Sequence, residues 1–357
     1  MNSLIMDGEE YDLIWETVSR LQIIFHPRIS QDGLINYKQF SETKRNNQVV
    51  LLLDRNLLSG LLNLARYGSL KEKKEMQLIG LIMTWISMNN VSANAGLALL
   101  EYGTNIKDNI QPKKELKEFN NILEFYPVMI WLRLAQGRLN EIPICPLPTD
   151  PFMTKSNYDE EDDHLLMHFA TMIHTVYLHR RQELSPVEKM IEFLEWSYKN
   201  LRISENTLTY VAMLFTNQEG IKAPKNSGSS DIHKVLNGCK NQAWDLNYLS
   251  NWSCFHYAED SLDQVFMFAT HDTQLKRIFI NTYNKGGVAA LIQAVYSKKD
   301  FQKIFEVIHN NSGSNRAKAD FGENPKSYFR CLIDDEINVL KNHCFRQNTL
   351  FKGGRYE

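Results

Sequence analysis

Four carboxylates stand where their neighbours make them candidates for chemistry. Asp54 ends the apolar run Val49-Val50-Leu51-Leu52-Leu53, and Asp272 follows a second run, Val265-Phe266-Met267-Phe268-Ala269, after Thr270-His271. Glu101 closes the apolar stretch Leu97-Ala98-Leu99-Leu100, and Asp245 lies beside Trp244 in AWDLNYL. Singly, each has an ordinary structural use: Asp is a preferred helix N-cap, and a Glu in a last helical turn is a solvated residue. Brought together, four carboxylates repel one another unless cations neutralise them, which makes the set a site for Mg²⁺ or Mn²⁺. All-oxygen donors favour these hard ions over zinc. A pair of such ions holds a phosphodiester, activates a water and stabilises the leaving oxygen.

The elements must bring these residues together. Residues 9–26 carry Leu13, Ile14, Val18, Leu21 and Phe25 at helical spacing and predict an opening amphipathic helix. QDGLINYKQF predicts a turn followed by a short strand or helix. The runs at 49–53 and 265–269 lack polar alternation, as strands buried on both faces do. Each is followed by a helical pattern, so both local units read strand, carboxylate, helix. In parallel sheets of this kind the carboxyl ends of strands line the functional crevice. Helices are expected at 73–90 and 91–102, and residues 106–235 read as almost wholly helical. One boundary there is signed by Ser185-Pro186-Val187-Glu188, a capping box with Pro at the first helical position. Residues 223–231 form a link, Trp244 opens a further helix, and 286–357 is helical, broken by a polar loop at Asn310–Asn315 and closed by FKGGRYE.

In order and context these segments resemble the PIN-domain nucleases: LLLDRNLL (Asp54), ALLEYG (Glu101), AWDLNYL (Asp245) and FATHDTQL (Asp272). The family pattern has a strand-ending Asp, a Glu at a helix, an Asp at a later helix start, and a strand ending in Ser/Thr-x-Asp. Thr270-His271-Asp272 is the most specific of the four segments. The resemblance implies an α/β fold, a PIN-like parallel sheet flanked by helices, with a large helical insertion and a helical C-terminal extension. It divides the chain into an N-terminal helical segment (1–48), a first half-domain (49–105), the insertion (106–235), a second half-domain (236–295) and the extension (296–357). The insertion is required because Glu101 and Asp245 stand much further apart than in a compact family member. The implied activity is that of a Mg²⁺- or Mn²⁺-dependent endonuclease, a ribonuclease ahead of a deoxyribonuclease. Asp54, Glu101, Asp245 and Asp272 would be the catalytic metal ligands, Thr270 their hydrogen-bonding support, and Asn56 and Asn247 polar neighbours. Lys276 and Arg277, one turn after Asp272, are placed to meet substrate phosphates.

Other phosphoryl chemistries fit less well. A haloacid-dehalogenase-type phosphatase needs a second Asp where Asn56 stands, a receiver domain needs an acidic pair and a late Lys, and no Gly-rich phosphate loop follows a strand. His164 and His168 lie one turn apart, but HLLMH lacks the Glu of HExxH and reads as ordinary helix. Arg20 and His26 form an Arg-x5-His spacing that arises by chance, and Phe255-His256-Tyr257 reads as core packing before base stacking. Basic clusters such as Arg346–Arg355 read as solvated faces.

Composition bounds the rest. With 40 Lys+Arg against 42 Asp+Glu and 43% hydrophobic residues, the 357-residue chain is no polycation. Its five widely spaced cysteines, without a CxxC pair, predict neither a disulfide framework nor a zinc ribbon. No apolar run approaches the ~20 residues of a membrane span, and the acidic N-terminus is unlike a signal peptide, so a cytoplasmic protein is expected. A nucleic-acid substrate is the expected partner. The hazard of a free nuclease and the size of the insertion add a regulatory protein, as for a toxin-like or phage-defence effector. The competing expectation is a mainly helical, non-catalytic interaction or scaffold protein whose four carboxylates are caps and surface residues.

Overall fold

The two apolar runs lie side by side as parallel strands. The computed structural model describes residues 8–31, 33–147, 154–283, 286–311 and 321–353. One compact unit comprises Met1–Glu160 and Trp252–Asp272, the other Glu161–Asn251 and Thr273–Glu357. The first unit begins with α1 (Gly8–Leu21), β1 (Ile24–Phe25), β2 (Ser30–Gln31), β3 (Leu34–Ile35), α2 (Tyr37–Asn46), β4 (Gln48–Leu53) and α3 (Arg55–Tyr67). It continues through α4 (Lys73–Met88), β5 (Ser92–Asn94), α5 (Gly96–Ile106), α6 (Ile110–Phe125) and α7 (Val128–Ala135). The second unit holds α8 (Asp163–Arg180), α9 (Pro186–Asn200), α10 (Glu205–Phe215) and most of α11 (Ile232–Tyr257). After α12 (Glu259–Leu262) and β6 (Gln264–Ala269) of the first unit, it resumes with α13 (Thr273–Tyr283), α14 (Gly287–Val295), α15 (Lys298–Asn310) and α16 (Pro325–Gly353).

Helices dominate, and they flank one small mixed sheet in the order β1-β6-β4-β5. β4 runs parallel to both β6 and β5, while β1 pairs antiparallel with β6. Val49, Leu51, Leu53, Val265 and Met267 enter the main core of the first unit, and Val50, Leu52, Phe266 and Phe268 are buried as well. Burial of alternate residues on both sides of the sheet is what the unbroken apolar runs require. The register pairs Leu53 with Ala269, so Asp54 and Thr270 leave the sheet at the same level.

Several sequence expectations are corrected. The opening helix stops at Leu21, where Gln22 takes a positive φ of 50°, and Ile24–Phe25 instead extends the sheet. β-branched Ile23 and Ile24 suit an extended chain that finds a partner strand. The helix expected at 91–102 begins only at Gly96, because Ser92–Asn94 pairs with β4; a three-residue polar strand carries no periodic signal. Trp244 does not open a helix: α11 already runs from Ile232. The compact units also have other boundaries than the blocks read from the sequence, since residues 106–160, including α6 and α7, belong with the sheet. Gly80 permits the close approach of α7 to α4, for a Cβ there would stand 2.7 Å from the Ala135 amide nitrogen.

The second unit is a helical assembly around α8, whose residues are buried almost throughout and which packs against α16, α9 and α10. The capping box at the head of α9 is formed as the sequence predicts. Part of the Asn310–Asn315 loop and the side chains of Arg346–Arg355 lie outside the described residues. No helix among the described residues is long and apolar enough to cross a membrane.

Candidate functional site

The carboxyl edge of the sheet gathers three of the sequence-predicted residues. The chain leaving β4 crosses to β5 on one side while β6 lies on the other, so the segments after β4 and β6 part at their shared edge. Asp54 leaves β4 there, 3% exposed, with its amide donating to Ala269 O at 3.1 Å. Its Oδ1 accepts the Leu57 amide at 2.8 Å, so it does cap α3. Its Oδ2 accepts the Thr270 hydroxyl at 2.6 Å. Thr270 Oγ1 in turn accepts the Asp272 amide at 3.0 Å, which fixes the start of the segment carrying Asp272. Burial pushes the Asp54 carboxyl above the ordinary carboxylate range, against the pull of the Thr270 and Leu57 hydrogen bonds, and the nearby charge of Asp272 pushes the same way.

The other predicted residues are placed differently. Glu101 is half-buried within α5, which packs on β4 and α3, and beside it the Tyr102 ring lies 4.2 Å from the Arg55 guanidinium carbon. Asn56 is exposed in the first turn of α3. Asp245 and Asn247 belong to the second unit, inside α11 rather than at a helix start. Asp245 Oδ2 accepts from Gln242 Nε2 at 3.2 Å, and Gln242 Oε1 from Gln274 at 2.6 Å. Buried Asn247 accepts the Asn251 side chain at 2.9 Å. Lys276 is half-buried on α13, and the exposed Arg277 donates to the Glu219 carbonyl. His168, one of the spaced histidines, is structural: its ring nitrogens meet the hydroxyls of Ser250 at 2.8 Å and Thr207 at 3.2 Å, and burial pushes its pKa down to about 3.

Sequence reasoning missed a second cluster in the first unit. His26 Nε2 lies 2.9 Å from Glu259 Oε1, and His256 Nδ1 lies 3.1 Å from Oε2. Arg28 also donates to Glu259 Oε2, and the Phe266 amide to Oε1 at 2.9 Å. Among the described residues this is the group whose three ligand-type atoms lie within 4.8 Å of one another. Its hydrogen bonding nevertheless reads as a structural lock on a buried carboxylate, for burial pushes the His26 pKa down and favours the neutral ring. The Arg28 amide donates to His26 Nδ1 at 3.2 Å, which assigns the ring proton to Nε2, facing the carboxylate where a metal would need a lone pair. Burial works to raise the Glu259 pKa, but the adjacent His256 and His26 and the Phe266 amide win and hold it far below the ordinary range. His256 and Glu259 are a local i,i+3 pair, but no spacing announces that they meet His26, which lies 233 residues from Glu259.

Asp54 and Asp272 suit a divalent cation. They are hard oxygen donors at a desolvated strand edge, where the field of a dication relieves both the burial of Asp54 and its repulsion by Asp272. Glu101 belongs to the same unit and Asp245 to the other, and among the described residues Asp54, Glu101 and Asp272 do not form a group of three ligand atoms within 4.8 Å of one another. No protein-family model, curated protein or solved structure matches the chain.

Proposed function

We propose that this chain is a Mg²⁺- or Mn²⁺-dependent endonuclease of PIN-like design, hydrolysing phosphodiester bonds of RNA ahead of DNA. The observation that carries the reading is the Asp54–Thr270–Asp272 linkage at the carboxyl edge of adjacent parallel strands. Asp54, Asp272 and Glu101 of the first unit would hold the cation, and Asp245 is proposed as a further ligand on the sequence resemblance alone. Bound there, the ion supplies Lewis-acid activation of water and charge stabilisation at a phosphodiester. Thr270 holds one Asp54 oxygen and the Asp272 backbone in fixed relation, while Leu57 holds the other Asp54 oxygen. Lys276 and Arg277 are the proposed phosphate contacts, and a regulatory protein is the proposed control.

The test is cleavage of labelled single-stranded RNA, tRNA and DNA with Mn²⁺, Mg²⁺ or EDTA, beside Asp272→Asn. Metal-dependent cleavage lost in the variant supports the nuclease. A second reading, a non-catalytic helical interaction protein, is favoured by one observation: Asp54 caps α3 as any structural Asp would. Absence of both cleavage and Mn²⁺ binding would decide for it.

A further inference from the structure

A cleft of about 730 Å³ opens in the first unit between α1 and α4, and Asn56 and His271 lie on its wall. Asn56 stands two residues after Asp54, and His271 immediately precedes Asp272. The cleft therefore neighbours the candidate site through residues of the same two strand-ending segments. Its volume falls within the range of ligand pockets, about 300–1,000 Å³.

The lining specifies the chemistry of the occupant. Leu13, Leu21, Leu57, Leu78 and Ile79 supply aliphatic walls, and Leu13 is 56% exposed within them. At the solvent side the exposed Glu72 and Glu75 outnumber Lys74, so a phosphate backbone is disfavoured inside and an uncharged group is preferred. That group must also offer hydrogen bonds. Asn56, Gln77 and Gln136 present amides, which both donate and accept. Gln136 Nε2 donates to Glu10 at 3.0 Å, while its Oε1 is buried with no protein partner and calls for a donor. A neutral body with donors and acceptors along its edge, attached to a backbone that stays outside, fits this lining, and a nucleobase is such a body.

We propose that this cleft takes an unpaired nucleobase adjacent to the scissile phosphate, an inference that rests on the nuclease reading for the phosphate itself. A paired base would have to leave its stack at a cost of a few kcal/mol. The preferred substrate is accordingly single-stranded or looped nucleic acid, and duplex is discriminated against.

Binding is read with catalysis removed. Full-length Asp272→Asn protein with Mg²⁺ is titrated with a 2-aminopurine-labelled RNA strand and with the same strand in duplex, following emission and anisotropy. The expected result is a change of emission on binding, with the single strand held at least about tenfold tighter than the duplex. Leu13→Asp in the same background should weaken single-strand binding about tenfold, and Leu13→Phe should preserve it. Because Leu13 is mainly exposed, both variants should fold, which circular dichroism checks. Equal affinity for strand and duplex, no binding, or indifference to Leu13→Asp overturns the proposal; with such indifference, an apolar peptide becomes the candidate occupant. If base binding and its Leu13 dependence persist while the unmodified chain cleaves nothing in Mn²⁺, the nuclease reading fails and the cleft assignment stands. If the unmodified chain cleaves and Leu13→Asp leaves both cleavage and binding unchanged, the cleft assignment fails and the nuclease reading stands.

Discussion

Thr270 donates its hydroxyl to Asp54 at 2.6 Å, tying together two side chains 216 residues apart at the ends of adjacent parallel strands. The same oxygen accepts the Asp272 amide. Thr270→Val keeps the shape and removes both interactions, leaving a buried carboxylate oxygen unsatisfied. The expected cost is about 1–3 kcal/mol in urea unfolding and about 10–100-fold in metal affinity or cleavage. Thr270→Ser should recover most of both. Full activity in the valine variant would remove the linkage from the mechanism.

Burial of Asp54 and the nearby charge of Asp272 work against its ionisation. Its folded pKa is raised, so protonation favours the native state: its contribution is fully present below the unfolded pKa and is lost as pH rises through the folded pKa. At pH 7 without divalent cations, Asp54→Asn should match or exceed the parent in thermal midpoint, while with Mn²⁺ restored its cleavage should fall to background. The stability difference should shrink on acidification. A variant clearly less stable than the parent would assign Asp54 to capping alone.

Glu101 and Asp245 test the two remaining proposed ligands separately. Glu101→Gln and Asp245→Asn should each reduce cleavage to background with changes of stability near ~0.5 kcal/mol, as at sites away from a packed core. Calorimetric titration with Mn²⁺ reads the loss of affinity directly. Retained cleavage in Asp245→Asn would confine the site to the first unit.

Glu259 predicts an acid-sensitive fold. Its folded pKa is depressed, so its stabilisation is present above the unfolded value of about 4.3 and is lost as pH falls toward the folded one. Glu259→Gln should cost about 3 kcal/mol at pH 7, the low end for removing one member of a buried pair, because Arg28 is largely exposed. Urea midpoints against pH measure it: the advantage of the parent over the variant should fade below about pH 4.3. A difference independent of pH would make the cluster a matter of shape.

The sequence by itself determined the two central strands and the carboxylates that end them. Unbroken apolar runs of five residues suit strands buried on both sides, and Asp is favoured where the chain turns from strand into helix. It also determined the capping box of α9, a purely local device. It did not show Ser92–Asn94 or Ile24–Phe25 as strands, since both are held by pairing with β4 and β6 and not by their own periodicity. Only the tertiary structure decided that Asp54 and Thr270 touch, that His26, Arg28 and His256 converge on Glu259, and that a cleft lies beside Asn56 and His271. The physical reason is shared: strand registry and helix docking join residues far apart in the chain, and composition or spacing along one segment carries no record of what it will meet.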